Sequence, residues 1–205
     1  MASKVLHRID KSPGVGLLAV VEAQKLGSLQ SPRPITWPSD IPEVVQAKSD
    51  SFTLASFTAE DAWELGHLLY ARLLPFFANE GRPTLISIAL ASGQVVFQAA
   101  VGSGMTPDYE SWAARERATV LRFGCSTWLI HCNYMHSDAE TFLADFGIGP
   151  HEASRYATRG GGVPIRVGGV EGVVAVVAVT GLLEPENHGV ITEVVKSHWA
   201  PQPEE

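Results

Sequence analysis

The chain has 205 residues, and 15 basic against 22 acidic side chains give it a formal net charge of −7 at neutral pH. With 45% hydrophobic and 18% charged residues it has the composition of one globular domain, not of a disordered chain. The negative charge excludes nucleic acid as an expected partner, and two cysteines cannot make a disulfide scaffold, so a reducing, cytoplasmic setting is expected.

Residues 1–49 read as an N-terminal extension. Lys4, Arg8 and Lys11 precede the apolar run Gly14–Val21, the order of a secretory signal. That run holds Gly14 and Gly16, follows Pro13 and meets Glu22 with no convincing cleavage site, so Gly16–Gly27 is read instead as a short amphipathic helix. Pro32, Pro34, Pro38 and Pro42 mark an extended linker or arm, one that could pack on a neighbouring subunit.

The compact domain is expected over residues 50–198, with 199–205 as a tail. Ser51–Ser56 is a short strand. Thr58 and Asp61 have the spacing of a helix cap and a capping-box variant. Ala62, Leu65, Leu69, Leu73 and Phe76 recur at steps of three and four and mark one buried helix face, which Pro75 and Gly81 should end. Leu85–Ala91 and Val95–Val101 form a hairpin through Ser92-Gly93-Gln94.

Asp108 is expected to cap a long helix from Tyr109 to Ile130, which Gly124 could break in two. Asp138 should open another, with Phe142, Leu143 and Phe146 inward and Gly147 at its end. Val163–Val167 and Gly172–Thr180 are the last strands. The longest clean apolar run, Val173–Thr180, is too short to cross a bilayer, so no membrane partner is expected. It does not alternate, so it should be a central strand covered on both faces. Glu186 or Asn187 caps a final helix bearing Val190, Ile191, Val194 and Val195. The order β-α-β-β-α-α-β-β-α predicts a mixed α/β (α+β) domain, a three-layer α-β-α sandwich on a mostly antiparallel sheet.

Several strings can carry chemistry, and each has a plainer structural reading. Arg159 before Gly160, Gly161 and Gly162 could form an anion-binding nest of amides with a guanidinium beside it. The plainer reading is a crowded loop entering a strand. Gly168–Gly172 is a hairpin turn, because a dinucleotide fingerprint would need a helix after it. Glu184–His188 leads into the last helix, where free amides suit a carboxylate and His188 could move a proton; a solvated first-turn histidine is the alternative.

Trp112, Arg115, Glu116, Arg117 and Arg122 crowd the long helix. Such a run is either a solvated face with internal ion pairs or a set of guanidiniums facing a pocket. His131, Cys132, His136 and His151 match no standard zinc spacing, so no metal site is predicted and surface histidines are the better reading. Cys125 and Cys132 read as buried thiols.

The motifs also line up together. Phe57–Gly66 forms an opening helix signature. Thr106-Pro107-Asp108, Trp112–Val120 and Phe123–Thr127 form a central one. Tyr156-Ala157, Gly160–Ile165, Gly172-Val173-Val174 and Thr180-Gly181-Leu182, ending at His188, form a C-terminal one. In this combination, over about residues 50–198, the chain resembles a branch of the haem-degrading-domain superfamily that has no settled activity. The superfamily also holds the HbpS haem sensors, the GlcG proteins and the C-terminal domain of PduO-type corrinoid adenosyltransferases.

The resemblance implies a profilin-like fold and a homo-oligomer, dimer-based or ring-shaped. It also implies a small-molecule pocket between subunits, near the central helix and the glycine loop. Some members bind haem, so haem is one candidate cofactor. The chain departs from the pattern at Glu116-Arg117-Ala118, at Glu186-Asn187 before His188, and at Thr180-Gly181-Leu182-Leu183. Three functions follow as expectations. The first is a binder of an anionic small molecule, held by Arg115, Arg117, Arg159 and the Gly160–Gly162 amides, with His188 facing the same pocket. The second is a cofactor-independent lyase, isomerase or cyclase acting on an acidic metabolite, with His188 or Tyr156 moving the proton. The third is an oligomeric protein-interaction module.

Overall fold

The computed structural model describes residues 4–137 and 139–202. Its seven strands are β1 (Leu6–Arg8), β2 (Phe52–Leu54), β3 (Thr84–Leu90), β4 (Val95–Val101), β5 (Gly162–Val167), β6 (Ala175–Thr180) and β7 (Trp199–Pro201). They form one sheet in the order β4-β3-β6-β5-β2-β1-β7. The sheet is mixed: β2 runs parallel to both β1 and β5, and the other pairings are antiparallel. The parallel pairing of β2 with β5 begins at Phe52 opposite Ile165.

Among the described residues eight α-helices accompany the sheet: α1 (Val15–Leu26), α2 (Pro42–Lys48), α3 (Ala59–Glu80), α4 (Pro107–Phe123), α5 (Thr127–Tyr134), α6 (Ala139–Asp145), α7 (Pro150–Ala153) and α8 (Glu184–His198). The central strand shows why there are three layers. All six residues of β6 are buried. Ala175, Val177 and Val179 join the main core with Leu65 and Leu69 of α3 and Val190 and Ile191 of α8. Ala178, on the other face, packs with Leu85 and with Ala113 of α4. The expected α-β-α sandwich is the observed one.

Local signals set most element ends. The Thr58 hydroxyl accepts the Asp61 N–H at 3.2 Å, and Asp61 Oδ2 accepts the Thr58 N–H at 2.9 Å, which is a complete capping box. Gly124 (φ +67) ends α4, and the Ser126 hydroxyl caps α5, so the long helix is broken as its glycine suggested.

Other ends differ from expectation. Pro75 does not stop α3. The helix continues to Glu80 because Phe76 is buried beyond it, and the Asn79 amide donates to the Pro75 carbonyl at 2.9 Å. Thr106, with Pro107 following, precedes α4, so Asp108 is a first-turn residue rather than the cap. Asp138, expected to open α6, lies outside the described residues. Phe142 is buried in that helix, Leu143 is half-buried, and Phe146 is largely exposed. The last helix starts at Glu184, earlier than Glu186 or Asn187, because the Glu186 carboxylate reaches back to the Leu183 N–H at 3.0 Å.

The first 49 residues are built onto this body. Residues 6–8 form β1. The Glu64 carboxylate, 2% exposed, accepts the N–H groups of Gly14 and Gly16 at 2.7 and 2.6 Å and so anchors the start of α1 on α3. The proline-rich arm lies on its own protomer. Ile35 enters the main core, and Arg72 donates to the carbonyls of Arg33 and Pro34 while pairing with Glu193 at 2.9 Å. Farther along, the Ser39 carbonyl accepts from Trp128 Nε1 at 2.8 Å.

Gly189 of α8 is where the arm comes closest. A Cβ there would stand 2.6 Å from the Thr36 carbonyl oxygen and 2.8 Å from Ile35 Cγ2. Gly189→Ala is therefore expected to lift the arm and to destabilise the fold by about 1–3 kcal/mol. Urea unfolding measures the loss, and limited proteolysis should show faster cutting between residues 31 and 41.

Candidate functional site

The main candidate is a cleft of about 750 Å³ between the first half of α4, the Arg159–Gly160 loop and the turn from β6 into α8. Tyr109, Trp112 and Glu116, spaced three and four apart, present one face of α4 to it. Thr180 to Pro185 form the opposite wall, and Trp37 of the arm stands at the rim. That opposite wall is held by Asn187, whose side chain both accepts the Leu182 N–H at 3.0 Å and donates to the Leu182 carbonyl at 3.3 Å. Arg82 pairs with Glu186 one residue before it.

Two of the expected binding residues line the cleft, and a third reaches its Trp112. Arg159 lines the cleft and its guanidinium lies 5.6 Å over the Trp112 ring. Arg115 lies over the same ring at 4.9 Å. Gly160 lines the cleft, and a Cβ on it would meet the Glu184 carbonyl oxygen at 2.6 Å and Trp128 at 2.7 Å. Gly161 and Gly162 lie buried behind it. The Gly162 N–H is already donated to the Thr127 hydroxyl at 2.9 Å, so the three glycines serve close packing as well as the cleft.

The remaining expected residues stand elsewhere. Arg117 reaches across to β3, donating to the Ser87 hydroxyl at 2.6 Å and to Glu110 at 2.8 Å. The Tyr156 hydroxyl accepts from Arg122 at 2.6 Å, and its ring joins Phe123 in a separate aromatic cluster. His188 is fully buried next to Trp128, at 6.2 Å between ring centroids, and does not line the cleft. It is neither a solvated first-turn residue nor a neighbour of the arginines, because α8 begins four residues before it. His131 stacks on Trp128 at 4.8 Å and approaches Glu184 at 3.5 Å, so it is not a free surface histidine. Burial raises the Cys125 thiol to about 12 and the Cys132 thiol to about 11.

Relatives share this architecture. A "UPF0303 protein" of Streptomyces avermitilis is 35% identical over 159 residues, which is 78% of this chain and 90% of the relative. One from Streptomyces coelicolor is 36% identical over 140 residues, 68% of this chain and 82% of its own. The crystal structure of the Ybr137w protein, from Saccharomyces cerevisiae, superposes with a TM-score of 0.62 at 25% identity, covering 71% of this chain and 80% of that one. The family model for haem degrading protein HbpS-like matches residues 57–196. The chain belongs to the HbpS-like haem-degrading family. The resemblance read from its motifs is thereby borne out.

Within this HbpS-like chain the residue that sequence reasoning passed over is Glu116. It was read as part of a charge run. In the structure it is 3% exposed, and its Oε2 has no hydrogen-bond partner among the described residues. Burial raises its pKa well above the ordinary 4.5, against a weaker lowering by Arg117, and so favours the protonated form. The signal in the sequence was the glycine run: a Cβ on Gly161 would stand 2.3 Å from Glu116 Oε1.

His188 is shifted the opposite way. Burial lowers its pKa from 6.5 to about 3, and Lys196 adds to that. The Ser49 backbone approaches it without meeting hydrogen-bond geometry, and both ring nitrogens lack a hydrogen-bond partner among the described residues.

The two groups have opposed effects on stability. Below pH 6.5 the unfolded chain binds a proton that folded His188 refuses, so its contribution is lost as pH falls toward 3, by about 1.4 kcal/mol per pH unit. Above pH 4.5 folded Glu116 keeps a proton that the unfolded chain releases, so its contribution is lost as pH rises. Relative to wild type, His188→Phe is expected to gain stability as the pH is lowered through this range, and Glu116→Gln as it is raised. Urea unfolding from about pH 4 to about pH 8 checks both slopes.

Proposed function

We propose that this protein is a homo-oligomeric binder of a small, flat anion, held in the cleft between α4 and α8, with haem as one candidate guest. The observation that carries the reading is Trp112 on the cleft wall with the Arg115 and Arg159 guanidiniums over its ring. A flat guest gains contact area from the indole, and its carboxylate gains a charge-assisted partner in Arg159. Family membership supports the haem candidate. Among the cleft's side chains only Tyr109 is of a type that serves as an axial haem ligand, so Arg159 would take a propionate, Trp112 a ring face and Tyr109 the iron. Bound haem would supply redox chemistry at the iron.

The rim supports the oligomer. Trp37 is 61% exposed and Leu183 is 55% exposed, both at the cleft mouth, so a second copy placed there would close the cleft and cover them. The reading as a cofactor-independent lyase, isomerase or cyclase is favoured by one observation, the buried Glu116 carboxyl at the cleft, whose pKa burial raises. His188 and Tyr156 lend it no support from where they stand.

Titration with hemin and, separately, with benzoate tests the binder. Binding is expected to appear as a Soret change for hemin and as a raised melting temperature for both. Arg159→Ala and Trp112→Ala are each expected to weaken binding by about tenfold or more. If neither compound binds, or if both variants bind as wild type does, the assignment of the cleft fails. Light scattering across a dilution series tests the oligomer, and a single protomer at all concentrations would remove rim closure from the proposal.

A further inference from the structure

The cleft contains a carboxyl group with an oxygen that no described residue engages. Glu116 lines the cleft, is almost fully buried, and leaves Oε2 without a partner. A buried polar atom left unpaired costs about 1–3 kcal/mol, so a group kept in this state is matched to something that arrives later. Its surroundings do not suit an ion pair. Arg117, next in the chain, is committed to Ser87 and Glu110. Arg159, across the cleft, pairs with Glu184 at 3.4 Å. Arg115 lies over Trp112. Asp108 also lines the cleft. On the inner side the Gly161 backbone lies against Oε1, and Thr127 from α5 is uncharged and engaged with Gly162.

We infer that Glu116 is a neutral hydrogen-bond donor that reads an acceptor on the guest, and that the guest is a flat carboxylate carrying, apart from its carboxylate, a carbonyl oxygen or an unprotonated ring nitrogen. This rests on the binding reading above and narrows it from any flat anion to one with two polar ends. Arg159 takes the charged end, Trp112 the ring and Glu116 the neutral end. A site that hydrogen-bonds its ligand discriminates strongly against an analogue lacking the acceptor, since the donor is then left unpaired.

The test uses pairs of probes that differ only in the acceptor. Benzoate is compared with the three pyridinecarboxylates, and the ethylbenzoates with the matching acetylbenzoates, by calorimetry on the full chain. At least one acceptor-bearing probe is expected to bind about tenfold more tightly than its partner. That ratio should collapse to about one in Glu116→Leu. In Glu116→Gln, which keeps a donor but cannot ionise, the ratio should survive and should no longer fall at alkaline pH. Independently of any guest, infrared spectra at neutral pH should show a protonated carboxyl band in wild type that is missing in Glu116→Gln.

The proposal is overturned if no acceptor-bearing probe binds, if none is preferred over its partner, if Glu116→Leu retains the preference, or if the infrared band is absent. Benzoate binding that depends on Arg159, with no acceptor preference, would leave the binding reading standing and remove only the role given to Glu116. Loss of benzoate binding itself would count against the binding reading.

Discussion

Helix α4 packs so tightly on the start of β5 that a side chain in place of the glycines there would push its neighbours aside. A Cβ at Gly162 would meet Val120 at 3.0 Å and Glu116 Cβ at 3.2 Å, and one at Gly161 would overlap the Glu116 carboxyl. Much of the site depends on this approach. It seals the Glu116 carboxyl away from water, and in doing so favours its neutral form. It also brings Trp112, one turn back along α4, against the Arg159 side of the same loop. The cleft lies between the first half of α4 and the turn from β6 into α8.

The electrostatics follow from that packing rather than from the net charge. The chain is acidic overall, yet the Trp112 wall is bordered by two guanidiniums, and burial shifts the one carboxyl sealed into the cleft toward its uncharged form. Two helix starts converge there. Residues 106–109 begin α4 and residues 183–187 begin α8, so amides at both ends add a partial positive field. The acids nearest that field, Asp108 and Glu184, line the cleft but are not enclosed by it.

Much of the architecture was legible in the residues. The three- and four-residue rhythm from Ala62 to Phe76, the Thr58–Asp61 cap, the Gly93 hairpin and the non-alternating β6 run each state their own structure. Pro75 misled because the helix stop it suggests is local, whereas Phe76 is held by the core. Leu6–Arg8 was unreadable because three residues carry no period, and their strand exists only through β2 and β7. At the site, Arg159 and Gly160 were found by composition. Arg117 was not separable from Arg115, since two positions along a helix turn a side chain to another face. Glu116 and His188 were opaque for a common reason: charge is read from residue type, and burial, which shifts both away from their ordinary pKa values, comes from distant chain segments.

The short parallel ladder between β2 and β5 has a boundary whose cause lies in β5 itself. Val163 and Ile165 direct their backbone groups toward β6, so the alternate residues Gly162, Pro164 and Arg166 direct theirs toward β2. Pro164 has no hydrogen to offer. Pairing with β2 accordingly goes no further than Ile165, and the chain before Phe52 is released from the sheet. Asp50, set loose there, turns its carboxylate to the Ser126 N–H at 2.6 Å, at the head of α5. A missing donor in one strand thus ties the end of the arm to the helix whose Trp128 underlies Gly160.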